Sequence, residues 1–195
     1  MADESVAGEK KVVKKSAEQR VNEMQVPNVE SLENVEEYIK EVGNFSKASA
    51  KVENEYRVTK LVQTNLMTVR ERIIESLPDL QNNLKMLEVL KERQDNDKPF
   101  STSFLLADQV YTDAQVKKVE NVSLWLGAGV MAEFPIDEAT DFIKGKITEL
   151  TTKASDLSDE LEIIKKRLTT CEVNMAHVYN AGVRMRQQLP SAVAK

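Results

Sequence analysis

Residues 143–178 read IKGKITELTTKASDLSDELEIIKKRLTTCEVNMAHV. Within them Ile143, Ile147, Leu150, Ala154, Leu157, Leu161, Ile164, Leu168, Cys171, Met175 and Val178 recur at steps of four and three without exception. Strict 3.5-residue spacing keeps one apolar stripe facing one partner over five heptads, the signature of a coiled coil. At about 1.5 Å per residue the stretch makes a helix of roughly 54 Å. Asp137, after Pro135 and Ile136, is placed to cap its start, and Gly182 and Pro190 bracket its end.

A second helical pattern lies upstream, between about Leu32 and Asn96. Val58, Val62, Leu66, Val69, Ile73, Leu77, Leu80, Leu84 and Leu87 follow three-four spacing. Gly43-Asn44 interrupts the pattern early, and the spacing runs through Pro78, which predicts a bend there rather than a terminus. The polar run from Arg93 to Lys98, then Pro99, ends it.

Between the two helices the period changes. Phe104-Leu105-Leu106-Ala107, Val110-Tyr111-Thr112, Val122-Ser123-Leu124-Trp125-Leu126 and Val130-Met131-Ala132-Glu133-Phe134 are short, apolar and bounded by Asp, Asn or Gly, as strands are. Gly127-Ala128-Gly129 suits a tight turn, so two consecutive β-hairpins are predicted, with Val122, Leu124 and Leu126 on one face and Trp125 on the other. Folding the helices back on each other at Asp97 and Asp137 brings Val178 near Tyr56 and Gly182 near Val52. Four short strands leave unpaired edges, so other chains are expected to complete the sheet.

The organisation is therefore a disordered tail over residues 1–28, a coiled-coil helix region over 29–98, two hairpins over 99–136, a coiled-coil helix over 137–188 and a tail over 189–195. The fold class is mainly α with a small β part: a long antiparallel coiled coil with two hairpins at the fold-back.

Composition agrees with an elongated helical protein. Six Gly and five Pro in 195 residues are under half the roughly 12% of an average protein. Ten aromatics, 30% charged residues and a net charge of -5 describe a thin core under a charged surface. The acids of Met1-Ala2-Asp3-Glu4-Ser5 do not read as a secretory signal, and no apolar run of 18 residues occurs, so a cytoplasmic protein is expected. The single Cys171 excludes an internal disulfide and, with the single His177, excludes multi-ligand zinc sites. Lys10, Lys11, Lys14 and Lys15 are interspersed with acids and read as a solvated tail rather than a nucleic-acid patch.

No glycine-rich phosphate loop and no nucleophile-base pair is present, and the carboxylates sit beside lysines on helix faces, as at Glu162 with Lys165 and Lys166. The reading is of a protein that is not an enzyme, with no cofactor, no metal, no nucleic acid and no membrane.

Several local runs resemble the prefoldin family, and within it the alpha-type subunits. They are Leu77-Pro78-Asp79-Leu80, Phe104-Leu105-Leu106-Ala107-Asp108, Leu124-Trp125-Leu126-Gly127-Ala128, Ile136-Asp137-Glu138-Ala139 and the run from Thr170 to Asn180. The similarity covers about residues 25–188. It implies a hetero-hexamer of two alpha-type and four beta-type prefoldin subunits. Such an assembly captures unfolded actin and tubulin without ATP and passes them to the cytosolic chaperonin.

The resemblance also implies client contacts at the far ends of the helices. Val52, Tyr56, Met175, Val178, Tyr179, Val183 and Met185 are the residues expected there, although Met175 and Val178 also lie on the heptad stripe, where core packing is the favoured reading over client contact. Phe104, Leu106, Val110, Val122, Leu124, Trp125, Leu126, Val130 and Phe134 are expected to serve assembly. Residues 165–195 hold six Lys or Arg against Glu172 alone, a basic end that would attract acidic clients. Cys171, on the stripe, reads as a buried small hydrophobe, and His177, just off it, as a surface residue. The alternatives are a structural coiled-coil tether, which has no need of the strand-forming insert, and a similar subunit of another assembly scaffold.

Overall fold

The computed structural model describes residues 15–96, 99–116 and 118–188. In chain order they form α1 (Ala17–Glu23), α2 (Val35–Val42), α3 (Phe45–Asp95), β1 (Phe100–Ala107), β2 (Val110–Val116), β3 (Asn121–Gly127), β4 (Val130–Pro135) and α4 (Ile136–Gln188). The fold is mostly helical with two small antiparallel hairpins, β1 with β2 and β3 with β4. The chain clusters into two units, one of Met1–Thr68 with Asp156–Lys195 and one of Val69–Ser155.

In the unit of residues 69–155, Leu87, Ala139 and Ile143 form a buried cluster. Val122, Leu124 and Phe134 of the second hairpin pack on it beside Leu84, Leu90 and Ile147. Strand alternation sends Val122 and Leu124 inward, and the Phe134 ring stacks on Phe142 of α4 with centroids 5.9 Å apart. Each buried leucine or isoleucine contributes about 1.5–3 kcal/mol. The turn of this hairpin places Gly127, Ala128 and Gly129 at φ of 98°, 51° and 79°, a left-handed run in which glycine is nearly free of strain. Helix α3 passes through Pro78 without ending. Helix α4 starts at Ile136, so Asp137 stands in the first turn rather than at the cap. There it suits the helix dipole and pairs with Lys91. Asp97 lies outside the described residues.

The unit of residues 1–68 and 156–195 differs from the sequence reading in three ways. First, the buried stripe of α3 is a strict heptad: counting back in sevens from Leu66 gives Thr59 and Val52, both buried, with Gln63 buried beside them. Val58 and Val62 are only half-buried on its flank, and further along α3 Val69 is exposed. Continuity of phase outranks side-chain type, so the seam accepts Thr59, whose hydroxyl donates to the Glu55 carbonyl at 2.8 Å.

Second, the register is shifted by four to seven residues, one to two turns. Val178 lines a groove with Val52 rather than with Tyr56, and Gly182 meets Phe45 rather than Val52. Gly182 is therefore not helix punctuation, since α4 continues to Gln188. A Cβ there would stand 2.3 Å from the Phe45 ring.

Third, residues 15–28 are not an unstructured tail. Ser16 accepts from the Gln19 N–H while the Gln19 side chain accepts from the Ser16 N–H, a capping box that starts α1. Val21 and Val26 are buried. Residues 1–14 and 189–195, which hold most of the lysine cluster and Pro190, lie outside the described residues. Helix α2 is capped by Asn34 and closed by Gly43 at φ 106°, and Asn44 then caps α3 through the Lys47 N–H at 2.8 Å.

Gly145 has open space around it, so Gly145→Ala should raise the unfolding free energy by about 0.5–1 kcal/mol. Gly182→Ala has to push the Phe45 ring aside and should give no such gain. Equal gains in denaturant unfolding would contradict the close approach.

Candidate functional site

Two faces of α4 in the unit of residues 1–68 and 156–195 carry features that packing alone does not require. Position around the helix, at 100° per residue, separates them. Glu172, Met175, Ala176 and Tyr179 centre on one face. Glu160, Arg167, Asn174 and Ala181 centre on another, about 150° away, with the seam between.

The first face is an apolar trough. One groove of about 370 Å³ is lined by Ser49, Val52, Glu53, Glu172, Met175, Ala176, Val178 and Tyr179. A second of about 520 Å³ is lined by Tyr56, Arg57, Lys60, Leu61 and Thr64, and shares Glu53 and Met175 with the first. Of the residues expected at this end, Tyr56, Met175 and Tyr179 therefore come together around one surface, with Tyr179 68% exposed. Val52 and Val178 are floor rather than contact surface, each 1% exposed. Val183 is half-buried and lines neither groove. Met185 belongs to a different, polar groove with Glu33, Asn34, Glu36, His177, Asn180 and Arg184. Leu61, 62% exposed, was missed because its position falls outside the heptad stripe that guided the sequence reading.

The basic end expected over residues 165–195 is altered by what folds against it. Arg184 shares its groove with Glu33 and Glu36, and Arg167 is taken up by the N-terminal segment. Counting charge along α4 alone omits the acids that α2 and its approach bring alongside.

The second face holds that segment. Arg20 Nε donates to Glu160 Oε1 at 2.5 Å, and its guanidinium also lies 3.6 Å from Asp156 Oδ1. The hydrogen bond to Glu160, opposed by burial, raises the Arg20 pKa further above its ordinary value. Arg167 donates to Asn22 Oδ1 at 2.5 Å and to the Val26 carbonyl at 3.2 Å. Asn174, buried, accepts from the Leu32 N–H at 2.9 Å and donates to the Glu30 carbonyl at 2.8 Å. His177 Nδ1 is 3.4 Å from the Leu32 carbonyl. Glu160, Arg167 and Asn174 are seven apart, so a polar stripe runs in phase with the apolar one. That repeat, with Ser16-Ala17-Glu18-Gln19 as a capping-box sequence, is the signal that could have found this face.

Cys171 is fully buried between the two faces. Burial pushes its thiol pKa up, and the neighbouring Thr59 hydroxyl, which pulls the other way, does not offset it. Among the described residues no cluster of three His, Cys, Asp or Glu could hold a metal ion, and no helix is long and apolar enough to cross a membrane.

In the unit of residues 69–155 the hairpins divide by exposure. Val122, Leu124 and Phe134 face the helices, whereas Phe104, Leu105, Leu106, Val110 and Tyr111 on the first hairpin, and Trp125, Leu126, Val130 and Met131 on the second, are all 45% exposed or more. Among the described residues these nine large apolar side chains lie exposed on two-stranded ribbons.

Residues 59–181 match the family model of the prefoldin subunit. The chain is 35% identical over 163 residues to the probable prefoldin subunit 3 of Caenorhabditis elegans, covering 83% of this chain and 88% of that protein. It is 34% identical over 176 residues to prefoldin subunit 3 of Saccharomyces cerevisiae, covering 86% and 88%. It is 32% identical over 165 residues to prefoldin subunit 3 of Homo sapiens, covering 84% of each.

Iodoacetamide should label Cys171 only as the protein unfolds, because the thiol is covered and its thiolate disfavoured. The alkylation rate should rise together with denaturant-induced loss of helical circular dichroism; labelling of the native protein at the rate of a free thiol would contradict this placement.

Proposed function

The chain belongs to the prefoldin subunit family, and on that premise we propose that it is an alpha-type subunit of a cytoplasmic hetero-hexamer with two alpha-type and four beta-type members. In this reading the assembly captures unfolded chains such as actin and tubulin without ATP and passes them to the cytosolic chaperonin. The observation that carries it is the apolar trough around Tyr56, Leu61, Met175 and Tyr179.

The trough has the chemistry that capture needs. Non-native chains share exposed apolar side chains and no common shape, so a surface that takes them gains from area and adaptability rather than from a fixed pocket. Tyr56 and Tyr179 offer large amphipathic rings, and Met175 offers a flexible thioether that fits many contours. Glu53, Arg57 and Lys60 of α3 and Glu172 of α4 keep the rim wet, so the free protein stays soluble. Release costs nothing covalent, consistent with a mechanism that uses no nucleotide.

Assembly is supported by the hairpins. A two-stranded ribbon is marginal in water, and the exposed Leu106, Val110, Trp125 and Val130 give neighbouring subunits apolar surface to bury and strand edges to pair with. A tether dimerising through its seam has no use for these residues.

Mixing the chain with beta-type prefoldin subunits should give a hexamer by mass measurement that suppresses aggregation of unfolded actin without ATP. Leu106→Asp with Trp125→Asp should abolish the hexamer. Tyr56→Ser with Met175→Ser should leave the hexamer intact and weaken suppression several-fold. A trough variant that protects actin as well as the parent would remove the trough from the reading, and a chain that ignores beta-type subunits would remove the assembly.

A further inference from the structure

Residues 24–34 contain neither helix nor strand, yet they are held along α4. Their partners are arranged in an informative way. Arg167 donates to the Val26 carbonyl, Asn174 donates to the Glu30 carbonyl and accepts from the Leu32 N–H, and His177 lies beside the Leu32 carbonyl. All four contacts go to main-chain atoms, which every residue except proline supplies alike. Val26, 6% exposed, is the one side chain buried in full; Pro27, Val29 and Leu32 are half-buried, and Met24, Gln25, Asn28, Glu30, Ser31, Glu33 and Asn34 are exposed. The face of α4 that bears Arg167, Asn174 and His177 therefore holds an extended chain through its main chain and one fully buried apolar anchor, and reads the rest of its sequence weakly. Specific attachment comes from outside this stretch, where Arg20 pairs with Glu160 and Asp156, Val21 is buried, and Asn22 meets Arg167.

We propose that this face is a second binding site for non-native polypeptide, occupied in cis by residues 24–34, which an incoming chain displaces by taking over the main-chain contacts of Arg167, Asn174 and His177. The ligand class is an unstructured polypeptide segment carrying one small apolar residue at the place of Val26. The proposal rests on the reading of the chain as a binder of unfolded proteins, and it adds a site on the opposite flank of the seam from the trough. The strap holds the site closed because its anchor at α1 gives it a local concentration no free chain matches. It is displaceable because nothing between residues 24 and 34 adds a helix or a strand, and beyond Val26 the apolar side chains of Pro27, Val29 and Leu32 are covered only in part.

The test uses the full chain in its complex with the other prefoldin subunits and two fluorescein-labelled peptides. One has the sequence of residues 24–34. The other has the same length and keeps only the valine, with serine elsewhere. Arg20→Ala with Val21→Asp strips the α1 anchor and leaves both the trough and the α4 face intact. By fluorescence anisotropy this variant should bind both peptides at least tenfold more tightly than the parent, and adding Asn174→Ala should remove that gain. If the double variant loses helical circular dichroism, Arg20→Ala alone keeps Val21 in place and should show a smaller gain of the same kind.

Failure of both peptides to bind the released variants overturns the proposal. So does binding of the native-sequence peptide alone, which would make the strap an ordinary packing element, or binding indifferent to Asn174→Ala. Neither peptide reports on actin, so the parent complex can fail to protect actin while the peptides bind, or protect it while they do not.

Discussion

The constraint on which the structure depends is the heptad phase of α4. A stripe that repeats every 3.5 residues fixes which side of a 53-residue helix is committed to α3, and by exclusion which sides are left for other work. Once the seam takes Ile164, Leu168, Cys171 and Val178, all buried, Met175 is left at its edge, and Glu160, Arg167 and Asn174 fall together on one flank. The apolar trough and the polar clasp are thus consequences of a single periodicity. Helix α3 obeys the same rule so strictly that Thr59 and Gln63 enter the seam while Val58 and Val62 stay at its margin.

Much of this was legible because it is local and periodic. The hairpins follow from alternation at Val122, Leu124 and Phe134 and from three consecutive left-handed residues at Gly127–Gly129. The α4 stripe needed only counting. The seam of α3 is masked in the sequence by Val58 and Val62, apolar residues one position off its phase, and its register depends on how the hairpins meet the helices, which no local period encodes. Side-chain type is a weaker constraint than phase here, since a hydroxyl that donates to its own helix, as Thr59 does, is cheap to bury.

The N-terminal segment escaped for a different reason. Val21 and Val26 are two of several apolar residues, with Met24, Val29 and Leu32, scattered through a polar stretch, and no sustained heptad period announces them. Their binding surface is itself polar and lies more than a hundred residues away, so neither half is conspicuous without the other. The site expectations divided along the same line. Tyr56, Met175 and Tyr179 meet at the trough because residues near the seam edge share its periodicity. Met185 is carried to the polar groove by the turn of the helix past Gly182, where the seam has closed on Phe45.

The division of labour between apolar and polar contacts has a physical logic. Apolar seams tolerate sliding, because a leucine contributes nearly as much in one hole as in the next. Directional side-chain partners do not: Arg20 can pair with Glu160 while Asn22 meets Arg167 only in one register. Among the described residues no buried side-chain polar atom lacks a partner, so this fixing of register leaves no unpaired group behind. An ion pair as buried as Arg20 with Glu160 gains little net stability over a well-packed apolar pair, but a slipped strap would leave Glu160 charged and alone. The strap is therefore held in place chiefly by the penalty on wrong positions, which lets its placement be sharp while its own contribution to stability stays small.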